Sequence, residues 1–319
     1  MSVRAIMPGV NAIETTMGNN LLRCYLLSGA RTLLVDSGLR TMPDTVIFPA
    51  LEATGLPLHF DMLLNSHADA DHHGGNAAIL ARSPGSLVLC HALDAPRVES
   101  RERHLRERYT AAVAADDTPY SAAIMDWLAD GIGADMPVDL TLLGDERINL
   151  GPGATWQVLH APGHTPGHLA LWNAEHGVLI IQDAVLGGMG VEPDGAIGSP
   201  PPYFAVDTYL ATIKRLRSLG AALLLSAHIP IMNGTEAVTA FFDASAQFVA
   251  DLDSLTLEVL QAAGTPQTLA ALCAAVDKRL GPSSTPIQWI PPVRAHLERH
   301  AAAGRLQAIH AVGARTWMS

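Results

Sequence analysis

A chain of 319 residues that is 49% hydrophobic and 16% charged can bury one large core, or a core plus an appendage, which excludes a disordered or fibrous molecule. Its net charge of −11 opposes nonspecific attraction to nucleic acid or to an anionic membrane surface, both of which carry the same sign. No apolar run approaches the length of a bilayer-spanning helix, and the first twenty residues hold neither a sustained apolar stretch nor a small-residue cleavage site, so a cytoplasmic location is expected.

In chain order, "NLLRCYLL" and "RTLLVDSG" read as a hairpin around "SGA", and "DMLLNS" and "SLVLCH" as further strands separated by helices such as "TVIFPALEAT". From about residue 138 short strands follow one another closely, in "VDLTLL", "ERINL", "TWQVLHA", "HLALWN" and "GVLIIQD", with Gly or Pro between them. Next, "VDTYLATIKRLRSLG" reads as a helix capped near Asp207 or Thr208 and stopped at Gly220, ahead of the apolar strand "ALLLSAH". Strands then helix, twice over, predicts an α/β protein with an αβ/βα sandwich and its loops gathered at one edge. Residues 185–204, rich in Gly and Pro, are expected to form a substrate-facing flap.

After about residue 235 three helical patterns follow, the second opened by Thr265 and Pro266, and then two short strands around Gly313. Helix, helix, helix, hairpin is the order of a winged-helix module, so residues 1–235 and 236–319 are read as two domains. The tail from residue 265 onward has six basic residues (Lys278, Arg279, Arg294, Arg299, Arg305 and Arg315) against Asp277 and Glu298, a local charge of +4. Cys24, Cys90 and Cys273 are far apart and odd in number, so they are read as buried thiols rather than a disulfide framework.

The chemistry concentrates at "NSHADADHHGGN", residues 65–76, which places His67, Asp69, Asp71 and His72 in the loop past the apolar strand "DMLL". A solvated polar turn would account for any one of these residues but not for five ionisable groups, these four and His73, beside an apolar strand. Three distant pieces have the same form: "APGHTPGH" supplies His164 and His168, "LIIQDA" ends in Asp183 and "LLLSAH" ends in His228. Each polar group follows an apolar strand, so each lands at one sheet edge. His73 is expected to be a supporting or surface group and His168 to hold its loop by hydrogen bonding rather than bind metal, and no motif claims His91 or His160. Trp127, Trp172 and Tyr203, as single aromatics, are read as core or rim.

This set resembles the metallo-β-lactamase superfamily, whose usual pattern is His-x-His-x-Asp-His followed by a distal His, a bridging Asp and a last His. His67, Asp71 and His72 match the first, third and fourth positions, and His164, Asp183 and His228 match the remaining three. "LVDSG" at residues 34–38 resembles a further family signature, with Asp36 in a supporting role. Asp69 stands where the family has its second His, making this a His-x-Asp-x-Asp-His variant. The resemblance covers about residues 8–235. It implies a four-layer sandwich and two divalent metal ions, one held by His67, Asp69 and His164, the other by Asp71, His72 and His228, with Asp183 bridging. Zinc is the first expectation, and the carboxylate at position 69 favours iron or manganese as alternatives.

What the resemblance implies chemically is hydrolysis by a metal-bound hydroxide that Asp71 orients. "GHTPGH" resembles the glyoxalase II and lactonase branches, so a small thioester, lactone or ester is the expected substrate. The tail is similar to the winged-helix extension of lactamase-like hydrolases that include endoribonucleases, which leaves an RNA phosphodiesterase open; a lid or a homodimer surface is the alternative role. An iron oxidoreductase like the flavodiiron branch, and a nonenzymatic nucleic-acid binder, complete the alternatives.

Overall fold

A computed structural model describes residues 2–110, 116, 118–189, 198–310 and 315–319. Seven strands form the first sheet in sequence order: β1 (Ser2–Met7), β2 (Val10–Met17), β3 (Asn20–Ser28), β4 (Thr32–Val35), β5 (Met62–Leu64), β6 (Leu87–His91) and β7 (Leu140–Leu142). β1 to β4 are antiparallel neighbours, whereas β4 to β7 run parallel. β7, from "VDLTLL", is the edge strand of the first sheet.

The second sheet contains β8 (Arg147–Asn149), β9 (Thr155–His160), β10 (Leu169–Asn173), β11 (Val178–Ile180), β12 (Leu223–Leu225) and β13 (Met232–Asn233), ordered β13-β12-β11-β10-β9-β8. Side chains alternate across each strand with period two, and both faces of both sheets are covered. Tyr25 and Leu27 of β3 face Val158, Leu169, Leu171 and Ile180 between the sheets. Cys24 and Leu26 of the same strand turn outward onto Phe48, Leu51 and Ile79 of the helices Phe48–Thr54 and Asn76–Arg82. On the other side, Leu159, Ala170, Leu179 and Leu224 pack on Tyr209, Ile213 and Leu216 of the helix Val206–Arg217. The result is the four-layer arrangement expected, helices outside two face-to-face sheets.

The helix Val206–Arg217 begins at Ala205, which provides no side-chain cap, and Asp207 falls in its first turn instead of capping it. The C-terminal region consists of the helices Thr235–Ala263, Leu269–Leu280 and Ile290–Ala302, with a small sheet ordered β14-β16-β15 from β14 (Gln267–Thr268), β15 (Gln307–His310) and β16 (Arg315–Met318). Thr268, not Thr265, caps the second of these helices, its hydroxyl accepting from Ala271 N at 3.2 Å. Gly313 lies outside the described residues, as do residues 190–197 of the stretch read as a flap. Val249, Leu252, Leu272, Trp289 and Trp317 continue the same core that covers the second sheet. Among the described residues, no helix is long and apolar enough to cross a membrane.

Two links clamp the sheets together at the edge that carries the chemistry. Tyr25 Oη donates to Ser226 O at 2.8 Å, and Arg23, paired with Glu14 at 2.7 Å, donates to Ile229 O at 2.6 Å. Leu171, 1% exposed, sits in the centre of the inter-sheet core. Leu171→Ala is expected to cost about 2–5 kcal/mol through lost burial and the cavity left behind, read as a lowered midpoint in urea unfolding.

Candidate metal centre

Chain direction explains why distant residues meet. β4 is parallel to β5, and β11 to β12, so the loops after these strands leave from one edge; β9 is antiparallel to β10, itself antiparallel to β11, and therefore ends there too. The segments after the five strand ends carry Asp36, His67, His164, Asp183 and His228. The loop after β5 does not remain irregular as expected: Ala70–His73 form a helical turn with extended Asp69 at its start. Alternation consequently breaks after Asp69, and Asp69 and Asp71 point to different partners. Close packing explains the glycines that follow, because a Cβ on Gly75 would stand 2.3 Å from Ser37 O.

All seven residues singled out in the sequence converge. His67, Asp69 and His164 form one set whose donor atoms all lie within 4.8 Å of one another, and Asp71, His72 and His228 form another. Asp183 Oδ2 stands between them, 3.3 Å from His228 Nε2, 3.5 Å from His72 Nε2 and 4.0 Å from His164 Nε2. Asp69 is long enough to take part: its Oδ2 lies 3.0 Å from His164 Nε2 and 3.6 Å from His67 Nε2.

The imidazoles share one orientation. Each has Nδ1 bonded outward: His72 to Asp36 Oδ2 at 2.8 Å, His164 to Pro202 O at 2.8 Å and His228 to Leu21 O at 2.6 Å. His67 Nδ1 meets Ser66 Oγ at 3.0 Å; that hydroxyl donates to Asp36 Oδ2 and so accepts here. Nδ1 is thereby the outward-bonded nitrogen of each ring, and every Nε2 points inward. His67 Nε2, His72 Nε2 and Asp183 Oδ1 are buried without a hydrogen-bond partner among the described residues. Inward-facing, unpartnered nitrogens and carboxylate oxygens, with the outer nitrogens tied back, are the donor set that a divalent cation requires.

Charge agrees with that fit. Burial alone would lower the His228 imidazole, but Asp183 and Asp71 push it up to about 10. Burial would raise the Asp183 carboxyl, yet His228 and His72 hold it well below the usual carboxylate range. Asp69 is likewise held low against its burial, mainly by Arg108 and by hydrogen bonding to His164 and His67.

Several residues outside the donor set complete the frame. Asp36, with a left-handed φ of 65°, also accepts from Ser66 N and from Gln182 Nε2, whose own φ is 44°. Asp94, wholly buried, accepts from Ala68 N, Thr165 Oγ1 and Gly167 N, stapling the "HTPGH" loop to the "SHADAD" loop. A Cβ on Gly167 would meet Asp94 at 2.8 Å, which accounts for the glycine of that phrase. Arg108 donates to both oxygens of Asp69 at 2.7 Å. Asp36 stood out in "LVDSG"; the others become visible only through contacts across many residues of sequence.

Among the remaining histidines, His73 Nε2 bonds to His104 Nδ1 at 2.9 Å. His168 does not hold its loop by hydrogen bonding: neither ring nitrogen has a partner among the described residues, and the ring instead stacks on His67 at 4.7 Å. His91 and His160 stack on each other. Tyr203 is core, as read, whereas Trp127 is exposed on the surface.

The model of the metallo-beta-lactamase superfamily matches residues 22–228, well over half of the chain, and the chain belongs to that superfamily. It is thus an enzyme of a metallo-hydrolase superfamily, with donor clusters that could hold metal at the expected edge. The probable metallo-hydrolase YflN of Bacillus subtilis (strain 168) is 25% identical over 216 residues, 63% of this chain and 76% of the relative. A metallo-beta-lactamase family protein from Thermus thermophilus superposes with a TM-score of 0.74 at 20% identity, covering 98% of this chain and 99% of its own. A beta-lactamase domain protein from Burkholderia ambifaria gives the same TM-score of 0.74 and identity of 20%, covering 99% and 93%. These likenesses extend the shared fold through the C-terminal helical region.

Protons and cations compete for the same Nε2 atoms. With His228 pushed up to about 10, the proton it carries across the physiological range must leave before that nitrogen can bind a cation. Apparent zinc affinity is expected to rise as pH is raised from about 6 to about 8, with protons released on binding, as read by calorimetry in buffers of different ionisation enthalpy.

Proposed function

We propose that this chain is a cytoplasmic metal-dependent hydrolase of a small carboxyl ester, thioester or lactone, working with two divalent cations. His67, Asp69 and His164 would hold one, and Asp71, His72 and His228 the other, with Asp183 between them; zinc is the first choice, iron and manganese the others. The observation that carries this reading is the common orientation of four imidazoles, Nδ1 tied outward and Nε2 converging on three carboxylates.

When bound, such a cation pair supplies an acidified water and polarises a substrate carbonyl oxygen. The protein's own part falls to Asp71. Its side chain is 16% exposed, against 7% for Asp183, and its Oδ2 lies 3.3 Å from His228 Nε2, itself on a side chain 20% exposed. Substrate therefore approaches over Asp71 and His228, where Asp71 orients the attacking water and accepts its proton. Asp69 is not free for that task because Arg108 engages both of its oxygens. Nor do the thiols compete as nucleophiles. All three cysteines are buried, and burial raises Cys24 and Cys90 well above the ordinary range and Cys273 to about 12.

An acyl substrate is supported by the likeness of "GHTPGH" to the thioester- and lactone-cleaving branches, and hydrolysis by the likeness to the probable metallo-hydrolase of Bacillus subtilis. A polyanion is disfavoured. Three of the tail's six basic residues are already engaged within the protein: Arg315 and Arg294 reach Asp116 at 2.7 Å, Arg315 also Glu298 at 3.0 Å, and Arg299 reaches Asp207 at 3.0 Å. In this reading residues 1–235 form the catalytic domain, and the winged-helix-like residues 236–319 wall the site and offer a surface for a homodimer.

Chelation with excess EDTA is expected to abolish cleavage of a thioester, lactone and ester panel, and added zinc or manganese to restore it. Cleavage confined to phosphodiesters, or full activity after chelation, would overturn the assignment. Asp71→Asn is expected to lower kcat by about 10²–10⁴-fold, measured on whichever substrate of the panel the unaltered enzyme cleaves fastest.

A further inference from the structure

A carboxylate in place of a third imidazole changes the charge of a site by one unit, and burial magnifies the effect because little water remains to screen it. At the first donor set that unit is already matched. Arg108 and Asp69 are 7% and 14% exposed in their side chains. The guanidinium meets the carboxylate as a two-pronged fork, Nε on Oδ1 and Nη2 on Oδ2, both at 2.7 Å. Its third nitrogen, Nη1, donates to His164 O at 3.3 Å, and its carbon stands 4.3 Å over the Phe204 ring. Held from two further sides, the fork leaves Asp69 one orientation, with Oδ2 toward both His164 Nε2 and His67 Nε2.

We infer that Arg108 is what lets Asp69 stand where a three-imidazole site has its second histidine. The guanidinium cancels the carboxylate's charge and fixes Oδ2 on the donor side, so a cation at this set meets the net charge of three neutral imidazoles. Arg108 is a positioning residue that acts through Asp69, and lysine could not replace it, since an ammonium is a point charge without the planar fork. This inference rests on the reading that His67, Asp69 and His164 hold a divalent cation.

The test compares full-length unaltered protein with Asp69→His, Arg108→Leu combined with Asp69→His, and Arg108→Lys. Each protein is saturated with zinc and desalted, its zinc per chain is measured by mass spectrometry, and its fold is checked by near-ultraviolet circular dichroism. The unaltered chain is expected to retain two zinc ions. Asp69→His leaves the Arg108 charge buried beside a neutral ring, so one ion should be lost; adding Arg108→Leu removes that charge and should return the count to two. Arg108→Lys should weaken the looser of the two ions about 10–100-fold in a zinc titration. Two ions in folded Asp69→His, or one in the folded double variant, overturns the role of Arg108. Fewer than two in the unaltered chain overturns the two-cation reading instead. Should either histidine variant lose its near-ultraviolet signal, the Arg108→Lys titration decides, and an unchanged affinity for the looser ion overturns the inference.

Discussion

Four carboxylates, Asp36, Asp69, Asp71 and Asp183, lie at one edge of the sandwich with side chains no more than 16% exposed, and a buried carboxylate is costly unless something answers its charge. How each is answered organises everything around it. Asp36 accepts from a backbone amide, a hydroxyl, an amide side chain and an imidazole, which turns His72 so that its Nε2 faces inward. Asp69 is answered by Arg108. Asp71 and Asp183 are left with imidazoles, and Asp183 Oδ1 with no hydrogen bond among the described residues, at the donor clusters that could hold a cation. The left-handed conformations of Asp36 and Gln182, each costing roughly 1–3 kcal/mol, persist because the two side chains bond to each other and lock both strand ends.

The C-terminal region takes part in this arrangement through three consecutive residues. Pro202 O receives His164 Nδ1, Tyr203 Oη bonds to His296 Nε2, and Phe204 N donates to Gly163 O while its ring lies under Arg108. Burial lowers the His296 imidazole to about 4, so it is neutral: it accepts from Tyr203 through Nε2 and donates through Nδ1 to Asp253 at 2.7 Å. A helix far downstream in sequence thereby holds the segment that orients His164. The helical tail is coupled to the site through Pro202, Tyr203 and Phe204 rather than through any residue of its own among the donors.

The sequence alone was enough to determine the layer order, the sheet edge that carries the chemistry, and the seven residues that meet there, because those depend on short-range regularities. Apolar strands alternate with period two, and a polar residue just past a strand must emerge at its end, so His67, His164, Asp183 and His228 could be placed without knowing their neighbours. Only the tertiary structure decided what surrounds these residues: the helical turn that separates Asp71 from Asp69, the membership of residues 140–142 in the first sheet, the staple at Asp94 and the fork of Arg108. Apart from the helical turn, these are contacts between residues tens of positions apart, from 26 for Ala68 and Asp94 to 73 for Asp94 and Gly167. Arginine and aspartate are also common surface residue types, so nothing in their local pattern distinguishes a buried partner from a solvated one. Whether a charge is free or matched depends on which chain segments fold against it, and that is a property of three-dimensional packing, not of spacing along the chain.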